Sequence, residues 1–227
     1  VLVSEIMLQQ TQVARVIDKY AQWMRAFPTM QQAADAPLRD ILHVWQGLGY
    51  NRRGKYLHDA CRHFSGRDLP QTVEELVSQK GIGANTAAAI LAYYLNQQVL
   101  FIETNIRTVL LHHFFRGQLM VDDVQLRQKL EKLADLSCPR EWYWAMMDYG
   151  TFLKSKVDTN HQSKHYRKQS AFEGSQRQMR ARLLRALLEG SLRRVEALQI
   201  VSGSGDIIDS LVHDQLVIQR GDMLSIK

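Results

Sequence analysis

Residues 79–90 read QKGIGANTAAAI: a polar lead, two glycines one residue apart, then a run of small residues. Lys80-Gly81-Ile82-Gly83 joins two helical stretches, Val73 to Val77 before it and Asn85 to Leu95 after it. Both glycines stand where a chain reversing direction favours a residue without a Cβ. Amide hydrogens at the start of the second helix would point outward, and such a terminus takes a phosphate without side-chain charge. Lys80, Gly81, Gly83, Asn85 and Thr86 are therefore candidate contacts to an anionic backbone. Alone, a GxG of this kind favours an ordinary turn between helices. Two features shift that balance: the small residues of TAAAI, which let two helices approach closely, and a pair of carboxylates that flank the hairpin at a distance.

The first carboxylate is Glu5, in SEIMLQQTQV (Ser4 to Val13), where Ser4 can cap a helix and Gln9, Gln10 and Thr11 break the apolar run. The second is Glu103, in FIETNIRTV (Phe101 to Val109). Taken alone, Glu5 is a charge that favours a helix N-terminus, and Glu103 and Asn105 are helix-capping residues. Together with a hairpin able to grip phosphate, two carboxylates suit cleavage of a glycosidic bond in DNA.

Helical periodicity dominates to about residue 155. Val13, Val16, Ile17, Tyr20, Trp23 and Met24 form one stripe, ended by Phe27-Pro28. Leu38 to Trp45 is a short helix stopped by Gly47 and Gly49. Tyr50 to Phe64, Asn105 to Phe115, Val124 to Leu136 and Glu141 to Leu153 complete the set. No alternating strand interrupts them, so residues 1–155 are expected to form an all-α domain. Residues 156–175 are polar, basic and weakly periodic, a loop or linker across the surface. Residues 176–227 change character again, with helices at RQMRARLLRALLEG, Arg194 to Ile200 and Asp206 to His213, then a hairpin turning at Gly221-Asp222. Three helices and a terminal β-hairpin outline a winged helix, which serves equally as a packing or dimerisation element and as a DNA-reading wing.

Composition agrees with a globular core and an anionic partner. The 227 residues are 45% apolar, enough for one large domain or one medium and one small. The net charge is +6, yet Lys154 to Arg194 alone holds eleven lysines and arginines against Asp158, Glu173 and Glu189, so the basic character is regional. Cys61 and Cys138 are too few for a disulfide framework or a four-thiolate cluster. No apolar run reaches membrane-spanning length and no signal peptide is visible. His112 and His113 point in different directions on a helix, and His161 and His165 lack a third ligand, so no metal site is expected. The chain opens at Val1 without an initiator methionine and in mid-pattern, from which upstream sequence is expected.

SEIMLQQTQV, WQGLGYNRRGKYLH, GIGANTAAAIL, IETNIRTVL and AMMDYG together resemble the helix-hairpin-helix DNA glycosylases, and most closely the adenine glycosylases of the MutY type, over roughly Val1 to Leu153. The resemblance implies a two-lobed all-α domain with an active site between the lobes, into which the target adenine is flipped. It implies that Glu5 is the general acid that protonates a ring nitrogen of the base, and that Glu103 stabilises the cationic sugar. The family normally has an aspartate at this second position. The extra methylene implies either a shifted cleft or altered catalysis. Asn105 would orient the sugar or the attacking water, Gln10 would enter the gap left by the flipped base, and Tyr50 would wedge beside the opposing base. Tyr50 also reads as a core or interface tyrosine.

Four departures from the family qualify these expectations. Asn85 stands where bifunctional relatives carry a Schiff-base lysine, so hydrolysis without an amine-catalysed lyase step is expected. The stretch after AMMDYG has none of the family's four iron–sulfur cysteines, so no such cofactor is expected. Lys154, Lys156, Lys164, Arg167 and Lys168 occupy that region and are expected to hold phosphates directly, unless they form only a solvated basic surface. The family's separate 8-oxoguanine-reading domain is too large for the fifty residues after 175, and its leading helix would precede Val1. The expected partner is double-stranded DNA containing a mispaired or oxidised base pair, bound by a monomeric, cytoplasmic, nucleoid-associated enzyme without a membrane contact.

Overall fold

A computed structural model describes residues 1–135, 137–167 and 171–227. The chain packs as two compact units interleaved along the sequence: Val1–Glu5, Pro70–Ser78 and Ile82–Gln169 form one, and Ile6–Leu69, Gln79–Gly81 and Ser170–Lys227 the other. This division follows packing, whereas the boundaries near 155 and 175 mark changes of composition. Helix α1, Leu2–Leu8, runs from the first unit into the second. Ser4 lies inside α1 and its hydroxyl donates to the Val1 carbonyl (2.8 Å), so it is not the cap that its position suggests.

The first unit contains α6 (Val73–Val77), α7 (Ala84–Leu95), α8 (Thr104–Phe114), α9 (Asp123–Leu133) and α10 (Pro139–Lys154). Leu136, expected to end α9, lies outside the described residues. The core gathers Ala88, Ala89 and Ala92 of α7 with Phe101, Ile106, Leu110, Leu126 and Tyr143, all nearly inaccessible to solvent. Tyr143 stacks on Phe101 with ring centroids 4.0 Å apart. Its hydroxyl donates to Val99 O (2.9 Å) and accepts from Phe101 N (3.2 Å), satisfying the polar tip of a buried ring. The tightest contact joins α8 and α10. A Cβ on Gly150 would lie 2.3 Å from the Asn105 carbonyl oxygen, so the glycine of AMMDYG sets how closely α10 approaches the first turn of α8.

Among its described residues the polar segment after α10 has a single 3-10 turn, at Asn160–Gln162, and it is anchored. Val121 N donates to Gln162 O (2.9 Å) and Lys164 N to Val121 O (3.0 Å), while Asn160 exchanges hydrogen bonds with Thr108 at 3.0 and 3.2 Å. Gln162 and Ser163 are buried. The segment is a strap over α8 and the turn that leads into α9.

The second unit holds α2 (Val13–Ala26), α3 (Met30–Asp35), α4 (Leu38–Trp45) and α5 (Arg52–Phe64). Trp23 and Trp45 meet edge to face at 6.4 Å in its core, and a Cβ on Gly54 would press on Trp45 Cγ at 2.8 Å. The α2 stripe is only partly buried: Val16 and Trp23 are inside, while Val13 and Ile17 are 61% and 62% exposed. The same unit contains α11 (Gln176–Glu189), β1 (Leu192–Arg193), α12 (Arg194–Ile200), α13 (Gly205–His213), β2 (Val217–Arg220) and β3 (Met223–Ile226). Its antiparallel sheet has the order β1-β3-β2, with Leu192 opposite Leu224 and Val217 opposite Ile226. The hairpin at Gly221 is therefore joined by a two-residue strand too short to show periodicity. Leu183, Leu187, Ile208, Leu211 and Leu224 form the module's interior.

At residues 79–86 the two glycines differ. Gly81 has φ +89°, and a Cβ there would strike the Tyr56 ring at 2.6 Å. Gly83 is in extended backbone as the N-cap of α7 with open space around it, so it is not sterically required. Gly150→Ala is expected to cost about 3 kcal/mol, the upper range for overpacking, because the opposing atoms are backbone. Gly83→Ala should cost no more than about 1 kcal/mol. Urea unfolding of the two variants measures the contrast.

Candidate active site

Two carboxylates almost a hundred residues apart in sequence come within electrostatic range in the first unit. Glu5 is carried by α1, and Glu103 is the N-cap of α8 in extended backbone. Glu103 makes no side-chain capping bond, so its carboxylate is not committed to the helix end as a capping residue's would be. Burial pushes the Glu5 carboxyl up to about 7, and the neighbouring Glu103 charge adds to the rise. Burial also raises Glu103, but there Lys154, at the end of α10, pulls the other way. The two groups thus have different partners: Glu5 faces a like charge, Glu103 an opposite one.

Asn85, at the start of α7, reaches the backbone just before Glu103. Its Nδ2 donates to Ile102 O (3.1 Å) and its Oδ1 accepts from Ile102 N (3.3 Å). This amide pair fixes the strand-like approach to Glu103, a task the longer, acceptor-free side chain of a lysine could not perform. Asn105 is half-buried in the first turn of α8, beneath Gly150. Tyr93 of α7 joins the same neighbourhood: burial foremost, then Glu5 and Glu103, push its phenol far above the ordinary range. Sequence reasoning missed Tyr93, because an aromatic in an alanine-rich helix reads as core, and it does pack on Phe101 at 6.0 Å.

In the second unit the predicted stacking residues Gln10 and Tyr50 occupy two turns that share one clamp. Both are left-handed, with φ +54° and +46°, a conformation that costs a side-chain-bearing residue free energy. Arg53 is buried between them. Its Nη1 donates to the carbonyls of Ile6 (3.0 Å), Met7 (3.1 Å) and Gln9, and its Nη2 to Thr11 Oγ1 (2.9 Å), Leu48 O (3.0 Å) and Gly49 O (3.3 Å). The guanidinium also lies 5.5 Å from the Trp45 ring centroid and 5.6 Å from that of Tyr50. Desolvation lowers its pKa to about 10, which still leaves it charged at neutral pH. Gln9 Nε2 donates to Gly81 O (2.9 Å), which ties the first of these turns to the hairpin. Gln10 is exposed and Tyr50 is 38% exposed, so Tyr50 is not a core tyrosine. Nothing in the sequence distinguishes Arg53 from its neighbour Arg52, and only packing reveals it.

The hairpin residues Lys80, Gly81 and Gly83 are exposed, and Thr86 is half-buried. The basic residues proposed for phosphate disperse. Lys154 is exposed but acts on Glu103, Lys164 pairs with Asp122 at 2.9 Å, and Arg167 is exposed. Lys168 lies outside the described residues.

Residues 3–136 match the family described as HhH-GPD superfamily base excision DNA repair protein. The chain belongs to that superfamily. Among its relatives, the adenine DNA glycosylase of Mycobacterium tuberculosis (strain H37Rv) is 42% identical over 113 residues, 48% of this chain and 37% of that protein. The human adenine DNA glycosylase is 41% identical over 114 residues, again 48% of this chain but 21% of its own length. The matched region is thus well under half of each relative. In solved structures the fold is similar to that of endonuclease III in a non-covalent DNA complex, with a TM-score of 0.61, 16% identity, and 70% of this chain and 76% of that one covered. It is also similar to a thermostable thymine-DNA glycosylase, with a TM-score of 0.57 and 18% identity over 73% and 82% of the two chains. The all-α helix-hairpin-helix architecture read from the sequence is the superfamily's fold. Among the described residues no helix is long and apolar enough to cross a membrane.

The raised pKa of Glu5 has a consequence for stability. A carboxyl whose folded-state pKa exceeds its unfolded value contributes fully below the unfolded pKa, and that contribution is lost as pH rises through the folded one. Glu5→Gln is therefore expected to leave stability nearly unchanged at pH 4 and to raise it by about 3 kcal/mol at pH 8. Thermal melts across that range measure the difference.

Proposed function

We propose that this chain carries the base-removing machinery of a monofunctional adenine DNA glycosylase acting on a mispaired adenine opposite 8-oxoguanine or guanine. The observation that carries the reading is the unequal carboxylate pair of Glu5 and Glu103, set on a superfamily fold whose adenine-releasing relatives match it at 41–42% identity.

The chemistry follows from the pair. A purine leaves poorly as an anion, so the glycosidic bond breaks readily only if a proton reaches a ring nitrogen as the bonding electrons move into the base. Glu5, with a pKa near 7, holds that proton at neutral pH and gives it up at little cost. The sugar left behind is an oxocarbenium ion, which needs a negative charge beside it. Burial raises the pKa of Glu103 while Lys154 favours its charged form, and it is the ionised Glu103 that supplies the charge. Water then adds to the anomeric carbon, its released proton passes to the Glu5 carboxylate, and the acid is restored. Asn85 offers no amine for a covalent intermediate, so the reaction ends at an abasic site. Gln10 and Tyr50, held by Arg53, would replace the stacking lost when the adenine leaves the duplex.

Single-turnover base release from a duplex panel tests the proposal, with adenine opposite 8-oxoguanine, guanine or cytosine and with uracil or thymine opposite guanine. Adenine release is expected, lowered by about a thousandfold in Glu5→Gln, with a rate that declines as pH rises past about 7. Release of another base instead would reassign the substrate, and binding without release would make the chain a DNA-binding protein.

Lys154 gives a separate expectation. Removing its charge lets burial raise Glu103 further, so Lys154→Met should shift the acidic limb of the rate profile to higher pH while leaving the alkaline limb in place. Rate against pH for the two proteins measures the shift.

A further inference from the structure

The C-terminal module has no role in the chemistry above, and it lies beyond the region that matches the superfamily. It nevertheless meets the Tyr50 turn. Arg177, in the first turn of α11, donates from Nη1 to the Tyr50 hydroxyl (3.1 Å), and its guanidinium lies 5.8 Å from the centroid of that ring. Tyr50 is thus contacted by two guanidinium groups, Arg53 from α5 and Arg177 from the module.

The placement of Arg177 is fixed by other contacts within the second unit. Arg39 of α4 donates to Leu188 O at the end of α11. Asp214, whose side chain is only 8% exposed, accepts from Arg52 at the start of α5 (3.3 Å) and from Arg180 of α11. A buried carboxylate bonded to two arginines from different elements is a strong and directional link. These bonds bracket the Gly47–Tyr50 turn, and α11 is held where Arg177 reaches the phenol.

We propose that the module acts as a brace for Tyr50, and that Arg177 is the positioning residue through which it sets the preference for the base opposite the target. This rests on the glycosylase reading, in which Tyr50 stands beside the opposing base. Tyr50 stands in a left-handed turn and is 38% exposed, so contacts on its ring and hydroxyl bear directly on how the ring is held. A cation over its ring and a donor on its hydroxyl select one orientation. A wedge held in one orientation discriminates among base pairs, because misfit cannot be relieved by rotating the ring.

The test is a double-mutant cycle on the full chain, read by equilibrium binding. The probes are one duplex with a non-cleavable 2′-fluoro-adenosine opposite guanine and one fully matched duplex. Proteins compared are wild type, Arg177→Met, Arg177→Lys, Tyr50→Leu and the Arg177→Met/Tyr50→Leu pair, with circular dichroism melts to establish that each is folded. Arg177→Met is expected to reduce the mispaired-to-matched affinity ratio by about fivefold, Arg177→Lys to recover part of it, and the change to vanish in the Tyr50→Leu background. Equal weakening on both duplexes, or a loss that persists without Tyr50, would identify Arg177 as a simple phosphate contact and overturn the proposal. An unchanged ratio would overturn it as well. Adenine release by wild-type protein alongside either negative result would leave the glycosylase reading standing. A wild type that neither releases adenine nor prefers the mispair would fail both.

Discussion

One buried guanidinium organises the part of the molecule that would face DNA. Arg53 is among the few charged side chains buried in the described residues, and its hydrogen-bond partners come from two separate stretches of chain, Ile6 to Thr11 and Leu48 to Gly49. Burying a cation costs several kcal/mol, and the Nη bonds offset this only in part because Nε is buried without a hydrogen-bond partner. The group therefore adds little net stability, and its effect on geometry is large. Neither stretch could leave its conformation without stranding the charge. Gln10 lies within the first stretch and Tyr50 directly follows the second, and their left-handed backbones are tolerable because the surrounding carbonyls are already spoken for.

The proposed chemistry depends on a second constraint, the placement of two carboxylates in a poorly hydrated site. A pair of like charges brought together would ordinarily share one proton without distinction. Here the surroundings break the symmetry: Glu103 has Lys154 beside it and a backbone fixed by Asn85, while Glu5 has Glu103 itself and burial. The Glu103 side chain leaves the helix cap without bonding to it, and Asn85 secures the main chain from which it departs. Asn85 thus has a structural task that uses both ends of its amide.

Much of the fold was legible because helices announce themselves through periodicity and glycine. Leu38–Trp45 and Val73–Val77 begin and end where the pattern says, and most other helices differ by a residue or two at their ends. Helix α3 escaped, although Thr29 and Gln32 form a capping box that its sequence spacing displays, because six residues are too few to establish a period. Strand β1 escaped for the same reason, having two residues. Gly81 and Gly83 looked alike, yet only Gly81 lies against a ring and in a left-handed turn. Local sequence cannot contain that difference, since Tyr56 is twenty-five residues away.

The sequence by itself determined that this is a helical, hairpin-bearing chain with two candidate carboxylates, and through the family resemblance it determined which residues to suspect. Those properties reside in residue type and spacing, and they are local. Only the tertiary structure decided that Glu5 and Glu103 are neighbours with unequal environments, that Arg53 holds the two turns, that the basic segment after residue 155 is a strap whose Lys164 is paired with Asp122, and that Arg177 reaches Tyr50. Each of these depends on desolvation or on a hydrogen bond between residues distant in sequence. Such interactions exist only once packing has excluded water and fixed the distance between the groups.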